Sequence, residues 1–331
     1  MLCGISSREG KVDHSKLNLA ELEGIDLLRK RIRTAKIPSS SLDESMNLCT
    51  WNIRHWGQKK RKRFSLHCIA EIFHQFDLIA VTELRRNLSE LKYVLDLLGP
   101  FWKAVFSDYA ADAGGNRERI AFVYDSRAVI FTGLAAETDG PRKKNRATGQ
   151  YVPEFNWWRK PYLASFRAGH FDFVLLAVHL QWGTTKGRKK ELAELARWVR
   201  AFQKDEYHVD RDVIALGDFN IPNYQSELYQ AVSQFGLSAP ASILNLDHGS
   251  NLAKDKRYDQ ILHHPTLTGS VFSEFGGVVD FYKGNHQLFK PYKDLSKTKF
   301  TYELSDHLPL WVQLKLDVED EQLDQLMAKR T

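Results

Sequence analysis

The feature that most constrains this chain lies past its middle, at Val213-Ile214-Ala215-Leu216-Gly217-Asp218-Phe219-Asn220. Four apolar residues rich in β-branching read as a buried strand. The strand breaks at Gly217, and Asp218 and Asn220 stand at its end. In open α/β sheets, ligands gather in the crevice beyond the carboxyl ends of the strands. A carboxylate and an amide there offer hard oxygen ligands to a divalent cation, or hydrogen bonds to a phosphate. An Asx-type turn that merely closes a strand uses the same residue types. Repetition favours the first reading, because several other apolar strands of this chain also end in an acid, an amide or a histidine.

Those strands are expected at 48–53, 78–81, 102–106, 119–124, 128–133, 162–167, 171–178, 258–262 and 308–314, with helices at 64–75, 88–98, 188–203 and 224–235. Residues 139–151 read as a loose, basic, mobile loop. Strands outnumber helices, and a hairpin-like pair at 162–178 sits among crossover helices. That pattern argues for an α/β (α+β) chain of mixed sheets covered by helices. Residues 1–45 stand apart as a helical extension and linker. Leu19, Leu22, Ile25, Leu28 and Ile32 recur at helical spacing before Pro38-Ser39-Ser40-Ser41. The extension either packs on the main domain, residues 46–316, or serves as an arm for a protein or nucleic-acid partner. Residues 317–331 form an acidic tail, read as a short helix.

A chain of 331 residues with 43% hydrophobic content and eight tryptophans can build a sizeable core. Its formal net charge of +6 fits a polyanionic partner. The three cysteines, Cys3, Cys49 and Cys68, form neither a disulfide framework nor a zinc spacing, which points to a reducing compartment. The first residues lack the apolar core of a signal peptide, and no apolar run approaches the ~20 residues of a membrane span. The expectation is a soluble, intracellular (cytoplasmic) protein.

The chemistry-bearing positions at strand ends are Asn52, Glu83, Glu118, His179, Asp218, Asn220, Asp259, Asp306 and His307. Buried carboxylates are costly without partners, so such a cluster implies a bound cation or hydrogen-bonded histidines. The oxygen-rich set favours Mg²⁺, or Mn²⁺, over zinc. Two histidines and two further carboxylates suggest two His–carboxylate pairs, in which the carboxylate fixes the tautomer and raises basicity. Phosphodiester hydrolysis needs one group to activate water, another to meet the leaving oxygen, and positive charge on the transition state.

From Trp51 to about Leu314, the order and wording of these motifs resemble the endonuclease/exonuclease/phosphatase superfamily, and within it the deoxyribonuclease I-like branch. Trp51-Asn52-Ile53-Arg54-His55-Trp56-Gly57 is similar to the family's first motif, and Thr82-Glu83-Leu84-Arg85 to its second. Arg117-Glu118-Arg119 resembles the segment whose Glu pairs with a catalytic His, here His179. Arg159-Lys160-Pro161 resembles a phosphate-holding Arg-x-Pro. Gly217-Asp218-Phe219-Asn220 is similar to the central motif. Tyr258-Asp259-Gln260-Ile261 carries the Asp that would pair with His307 of Ser305-Asp306-His307.

The resemblance implies a four-layer α/β/β/α sandwich, two mixed sheets face to face with helices outside. It also implies a Mg²⁺-dependent DNA endonuclease leaving 5′-phosphate and 3′-hydroxyl ends. Asn52, Glu83 and Asp306 would organise the metal. His307 held by Asp259, and His179 held by Glu118, would act as base and as acid or phosphate clamp. Asp218 and Asn220 would bind nucleophile or scissile phosphate, and Arg54, Arg85 and Arg159 would contact substrate. The chain departs from the branch at Asn116, where a DNA-packing Tyr is usual. The same superfamily contains phosphatases and phosphodiesterases of small molecules and phospholipids, and a silent nucleic-acid-binding module is a further alternative. A lipid-acting enzyme should show an exposed apolar loop, for which Trp157-Trp158 is the candidate.

Basic clusters at 59–63, 85–86, 142–146 and 186–190 suggest backbone phosphate contacts. Trp56, Trp157, Trp158 and Trp182 lie close to them. They serve either as stacking surfaces for unpaired bases or as core and rim packing.

Overall fold

A computed structural model describes residues 11–108, 110–111, 117–208, 210–317 and 327. Two mixed β-sheets pack face to face with helices on their outer sides, which makes a four-layer α/β/β/α sandwich. At the centre of the first sheet is β1 (Ser45–Trp56), almost wholly buried. It runs parallel to β2 (Leu78–Leu84) and antiparallel to β14 (Leu310–Lys315). Outward on one side lies β13 (Phe272–Val278), and on the other β5 (Arg117–Asp125) and β3 (Trp102–Phe106), with β4 (Ala110–Ala111) on β5. The second sheet runs in the order β12 (Asp259–Leu262), β11 (Val213–Asp218), β10 (Phe171–His179), β9 (Tyr162–Ala168) and β6 (Ile130–Glu137).

Parallel neighbours need helical crossovers. The amphipathic α2 (Arg63–Phe73) joins β1 to β2, and α4 (Thr185–Lys204) joins β10 to β11. Both strand pairs are buried on two faces, which is why they read as continuous apolar runs. The remaining helices are α1 (Leu19–Arg33), α3 (Ser89–Leu98), α5 (Glu227–Ser233), α6 (Ala241–Leu244), α7 (Pro265–Thr268) and α8 (Lys297–Glu303). The inner faces meet where β1 and β2 pack against β10, β11 and β12, so the ends of these strands converge. Among the described residues no helix is long and apolar enough to cross a membrane. Cys49 and Cys68 are free and buried.

One glycine is required by this convergence. Gly217 pairs with Val178 across β10–β11 and has φ +132°, and a Cβ on it would lie 2.1 Å from the Val178 carbonyl oxygen. The clash is with backbone, so no side-chain movement relieves it.

The chain differs from its sequence expectations in several places. The supposed loose loop contains a two-stranded ribbon, β7 (Arg142–Lys144) against β8 (Tyr151–Pro153). The Asn145 side chain accepts hydrogen bonds from the Ala147 and Thr148 amides and closes its turn. The ribbon is exposed, so no apolar alternation announced it. Strand β13, Phe-Ser-Glu-Phe-Gly-Gly-Val, was not anticipated either: its Gly276 and Gly277 dilute the pattern, and Gly277 lies under the Trp311 indole. Helix α5 is shorter than 224–235, and β1 is longer than 48–53. Asn116, Cys3 and the expected tail helix, apart from Asp317 and Met327, lie outside the described residues.

Helix α1 starts at a capping box in which the Asn18 side chain accepts from the Glu21 amide and Glu21 accepts from the Asn18 amide. Ile25, Leu28 and Ile32 are buried, and the Arg31 guanidinium donates to the carbonyls of Phe281, Tyr282 and Asn285. His14 Nε2 and Arg29 Nε meet Glu71 of α2 at 2.6 and 2.9 Å, while His14 Nδ1 lies 2.8 Å from His67 Nδ1. Burial works to raise the Glu71 pKa, but the hydrogen bonds from His14 and Arg29 outweigh it and hold the carboxyl at about 2. Burial, helped by neighbouring His14, pushes His67 down to about 4.

Two outcomes follow. Gly217→Ala should cost roughly 2–4 kcal/mol in denaturant unfolding, as a buried backbone clash at positive φ requires. Acid should loosen the α1–α2 contact in two steps. His67 stays neutral when folded and protonates at its ordinary value when unfolded, so stability falls from pH 6.5 towards 4. Glu71 is held ionised when folded, so its contribution is complete above pH 4.5 and lost as pH falls towards 2. Unfolding midpoints measured across pH should show this slope, and Glu71→Gln should remove its lower part.

Candidate active site

Strand register alone brings three of the expected residues together. His179 is the partner of Asp218 across β10–β11, and Asp218 is the partner of Asp259 across β11–β12. Directly paired residues on neighbouring strands share a face, so these three form a row. His307, just before β14, completes it from the other sheet: its Nδ1 donates to Asp259 Oδ2 at 2.7 Å. At the opposite end, His179 Nδ1 donates to Glu118 Oε2, also at 2.7 Å. Asp218 Oδ2 lies between the two rings, 3.7 Å from His179 Nε2 and 3.8 Å from His307 Nε2.

The first sheet supplies the wall facing this row. Between Asn52 and Trp56, β1 carries two more residues than β2 does between Thr82 and Leu84, and this bulge turns both strand ends. Asn52 Nδ2 donates to Asp218 Oδ2 at 3.0 Å and to Glu83 Oε1 at 3.2 Å. Glu83 Oε2 accepts from the His55 amide at 2.8 Å. His55, Glu83 and Asn220 all have φ near +50 to +60°. Such backbone costs of order 1–3 kcal/mol per residue and clusters at functional sites. Asn220 N–H donates to Asp218 Oδ1, and its side-chain amide donates to the Leu180 carbonyl.

The electrostatics follow from burial and pairing. Burial raises the Asp218 pKa, against the pull of both imidazoles. Burial opposes charge on His307, but Asp259 and Asp218 together hold its pKa well above the ordinary value. His179 is raised too, its burial outweighed mainly by Glu118 while Arg159 works against it. Glu118 is held at about 2, because His179, Arg159 and Arg85 outweigh its desolvation. Glu83 is lowered despite burial, chiefly by His179.

The three arginines expected at the substrate are engaged within the protein. Arg85 Nη2 lies 3.0 Å from Glu118 Oε1 and donates to His55 Nδ1 at 2.9 Å. Arg159 Nε lies 3.0 Å from Glu118 Oε2. Arg54 sits over the Tyr302 ring and pairs with Asp306 at 3.2 Å. Of the tryptophans, Trp56 and Trp157 are buried, with Trp157 edge-on to Phe155, whereas Trp182 is exposed. Arg61 of the 59–63 cluster is buried on Glu90.

Two supporting residues were not anticipated as such. Ser250 Oγ donates to Asp259 Oδ2 at 2.6 Å and accepts from the Asp259 amide. Ser305 Oγ donates to the Asn52 carbonyl at 2.6 Å and accepts from the His307 amide, tying the end of β1 to the segment that leads into β14. Nothing in the sequence marks Ser250, whereas Ser305 lies inside the Ser-Asp-His motif.

The donor chemistry fits a hard cation. Asn52 Oδ1 is buried without a hydrogen-bond partner, beside the Glu83 carboxylate. Among the described residues no three His, Cys, Asp or Glu side chains form a ready-made cage. Mg²⁺ does not need one, because it keeps several waters and takes one or two carboxylates.

No protein-family model matches the chain. Deoxyribonuclease gamma from Rattus norvegicus is 25% identical over 285 residues, which cover 82% of this chain and 85% of that protein. The endonuclease/exonuclease/phosphatase family domain-containing protein 1 of Bos taurus is 25% identical over 53% of this chain, which spans only 33% of that longer protein. A protein of unknown function from Enterococcus faecalis V583 superposes with TM-score 0.55 at 16% identity, over 81% of this chain and 99% of its own. An endonuclease/exonuclease/phosphatase family protein from Bacteroides thetaiotaomicron gives TM-score 0.53 at 17% identity, over 83% and 99%. With the sandwich and the paired histidines, these likenesses support a hydrolase similar to the endonuclease/exonuclease/phosphatase superfamily. Within it, the resemblance runs to the deoxyribonuclease I-like branch.

Because Glu118 is the main group that raises His179 against its burial, Glu118→Gln should lower the His179 pKa. His307, which Glu118 does not contact, should keep its value. Imidazole ¹⁵N NMR titration reads both.

Proposed function

We propose that the protein is a Mg²⁺-dependent DNA endonuclease that hydrolyses the phosphodiester backbone to 5′-phosphate and 3′-hydroxyl ends. One observation carries the reading: a single carboxylate, Asp218, stands 3.7 and 3.8 Å from two imidazoles, each locked by its own carboxylate at 2.7 Å. This arrangement suits an in-line displacement, in which one group takes a proton from water and another meets the opposite oxygen. The name of the rat relative and the net charge of +6 favour nucleic acid as the substrate.

The pairs differ in a way that assigns their roles. Asp259 is backed by the neutral Ser250 hydroxyl and directs its charge at His307. Glu118 divides its charge among His179, Arg85 and Arg159. His307 is therefore the stronger base and takes the proton from the attacking water. His179, with two guanidiniums behind its partner, donates a hydrogen bond to the phosphate or the leaving oxygen. Asp218 orients the water between the rings, and the Asn220 turn fixes Asp218. Asn52, Glu83 and Asp306 would hold Mg²⁺, whose positive charge would act on the phosphate oxygens and against the extra proton on His307. Arg54, Arg85 and Arg159 would act on the substrate through the groups they pair with, Asp306 and Glu118.

The lipid alternative has little surface to rest on: Trp157 is buried against Phe155, which leaves only the half-buried Trp158 of the candidate patch.

The test is incubation with supercoiled plasmid, single-stranded DNA, RNA and a small phosphate diester, with Mg²⁺ and then with chelator. DNA should be cut only with Mg²⁺, and His307→Ala should cost at least ~10²-fold in kcat. Glu83→Gln should weaken Mg²⁺ binding by calorimetry, whereas Asp218→Asn should lose turnover and keep that binding. Hydrolysis of the small diester alone would contradict the nuclease reading. Salt-sensitive retention of DNA without cleavage would mark a binding module instead.

A further inference from the structure

Trp182 sits three residues after His179, on the loop leading into α4, and is 63% exposed. Large aromatic rings gain by burial, so a held but open indole is unusual. This one is fixed to the catalytic loops from two sides. Its ring meets Tyr258 at 5.3 Å between centroids and 87°, and the Tyr258 ring is 5.9 Å from that of His307. Tyr258 is the residue before Asp259, and its carbonyl accepts from the Phe219 amide between Asp218 and Asn220. On the other side, the Arg188 guanidinium lies 5.4 Å from the indole centroid and donates to the Asn220 carbonyl at 3.0 Å. Among the described residues Arg188 has no carboxylate partner, and its buried Nε has no hydrogen bond.

Resting on the nuclease reading, we propose that Trp182, Tyr258 and Arg188 form a nucleotide subsite beside the scissile phosphate. The indole is a stacking platform for one unpaired base, and Arg188 takes the phosphate of that nucleotide. An aromatic face held by cation–π and edge contacts is preorganised for a flat π-surface. A base in a duplex already stacks on its neighbours and must be pulled out to reach the platform, so the subsite selects single-stranded or flapped DNA. Of the other tryptophans near basic clusters, Trp56 and Trp157 are buried and Trp158 is half-buried.

The experiment compares the wild type with Trp182→Ala and Trp182→Phe on three substrates. These are oligothymidylate, the same strand with abasic residues flanking one thymidine linkage, and a fully paired duplex. Stacking on one base is worth enough that Trp182→Ala should lower kcat/KM on oligothymidylate roughly tenfold, mainly through KM. Trp182→Phe should recover most of it. On the abasic strand and the duplex the Ala variant should match the wild type, because the base and the indole are then lost as one interaction. An equal loss on all three substrates would mean a structural role and overturn the proposal, as would no loss on oligothymidylate. If the wild type cuts no nucleic acid, the nuclease reading fails by itself. The platform is then judged by fluorescence: quenching by oligothymidylate that Trp182→Phe abolishes upholds it, and no quenching overturns it.

Discussion

The site depends on one close approach, that of β10 and β11 at Val178 and Gly217. Only a residue without a Cβ lets the two backbones meet there. Their meeting sets His179 beside Asp218, and the next register step sets Asp218 beside Asp259. From this row the rest follows. The two imidazoles stand on either side of one carboxylate, and the Asn52 amide bridges that carboxylate to Glu83 on the opposite sheet. Burying so many acids together is unfavourable unless cations and donors surround them. Here the two histidines, Arg85, Arg159, Ser250 and backbone amides do so.

The strained backbone belongs to the same economy of space. His55, Glu83 and Asn220 lie in the left-handed region at the ends of β1, β2 and β11, and the first of them sits inside the bulge in β1. Each bend turns a side chain or amide into the crevice that a straight strand would carry past it. Around this, rigid pairs hold the working groups in place. Glu118 is gripped by two arginines, Asp259 by a serine, and the Asn52 carbonyl by Ser305. Groups held in this way lose little freedom when a substrate arrives.

Much of this was legible in the sequence, because strand ends are local. An apolar run followed by Glu83, His179 or Asp218 declares both the strand and the position of the polar residue. The pairings His179–Glu118 and His307–Asp259 came from the family resemblance, since residues 61 and 48 positions apart carry no local sign of contact. What the sequence concealed were the partners of the arginines. Arg85 and Arg159 read as substrate contacts, yet both are turned onto Glu118, a choice made by tertiary packing. Strand β13 and the 142–153 ribbon were hidden for a different reason: glycines in one and exposed charge in the other erase the period that marks a strand. The four tryptophans looked alike beside their basic neighbours, and only burial separates Trp182 from Trp56 and Trp157.

Asp218 is shared by both histidines. Imidazole ¹⁵N NMR titration of Asp218→Asn tests it most directly, because the substitution keeps the shape and removes the charge. Both His179 and His307 lean on that charge for their raised values, so both pKa values should fall together. If only one histidine moves, or neither does, Asp218 is not shared between them.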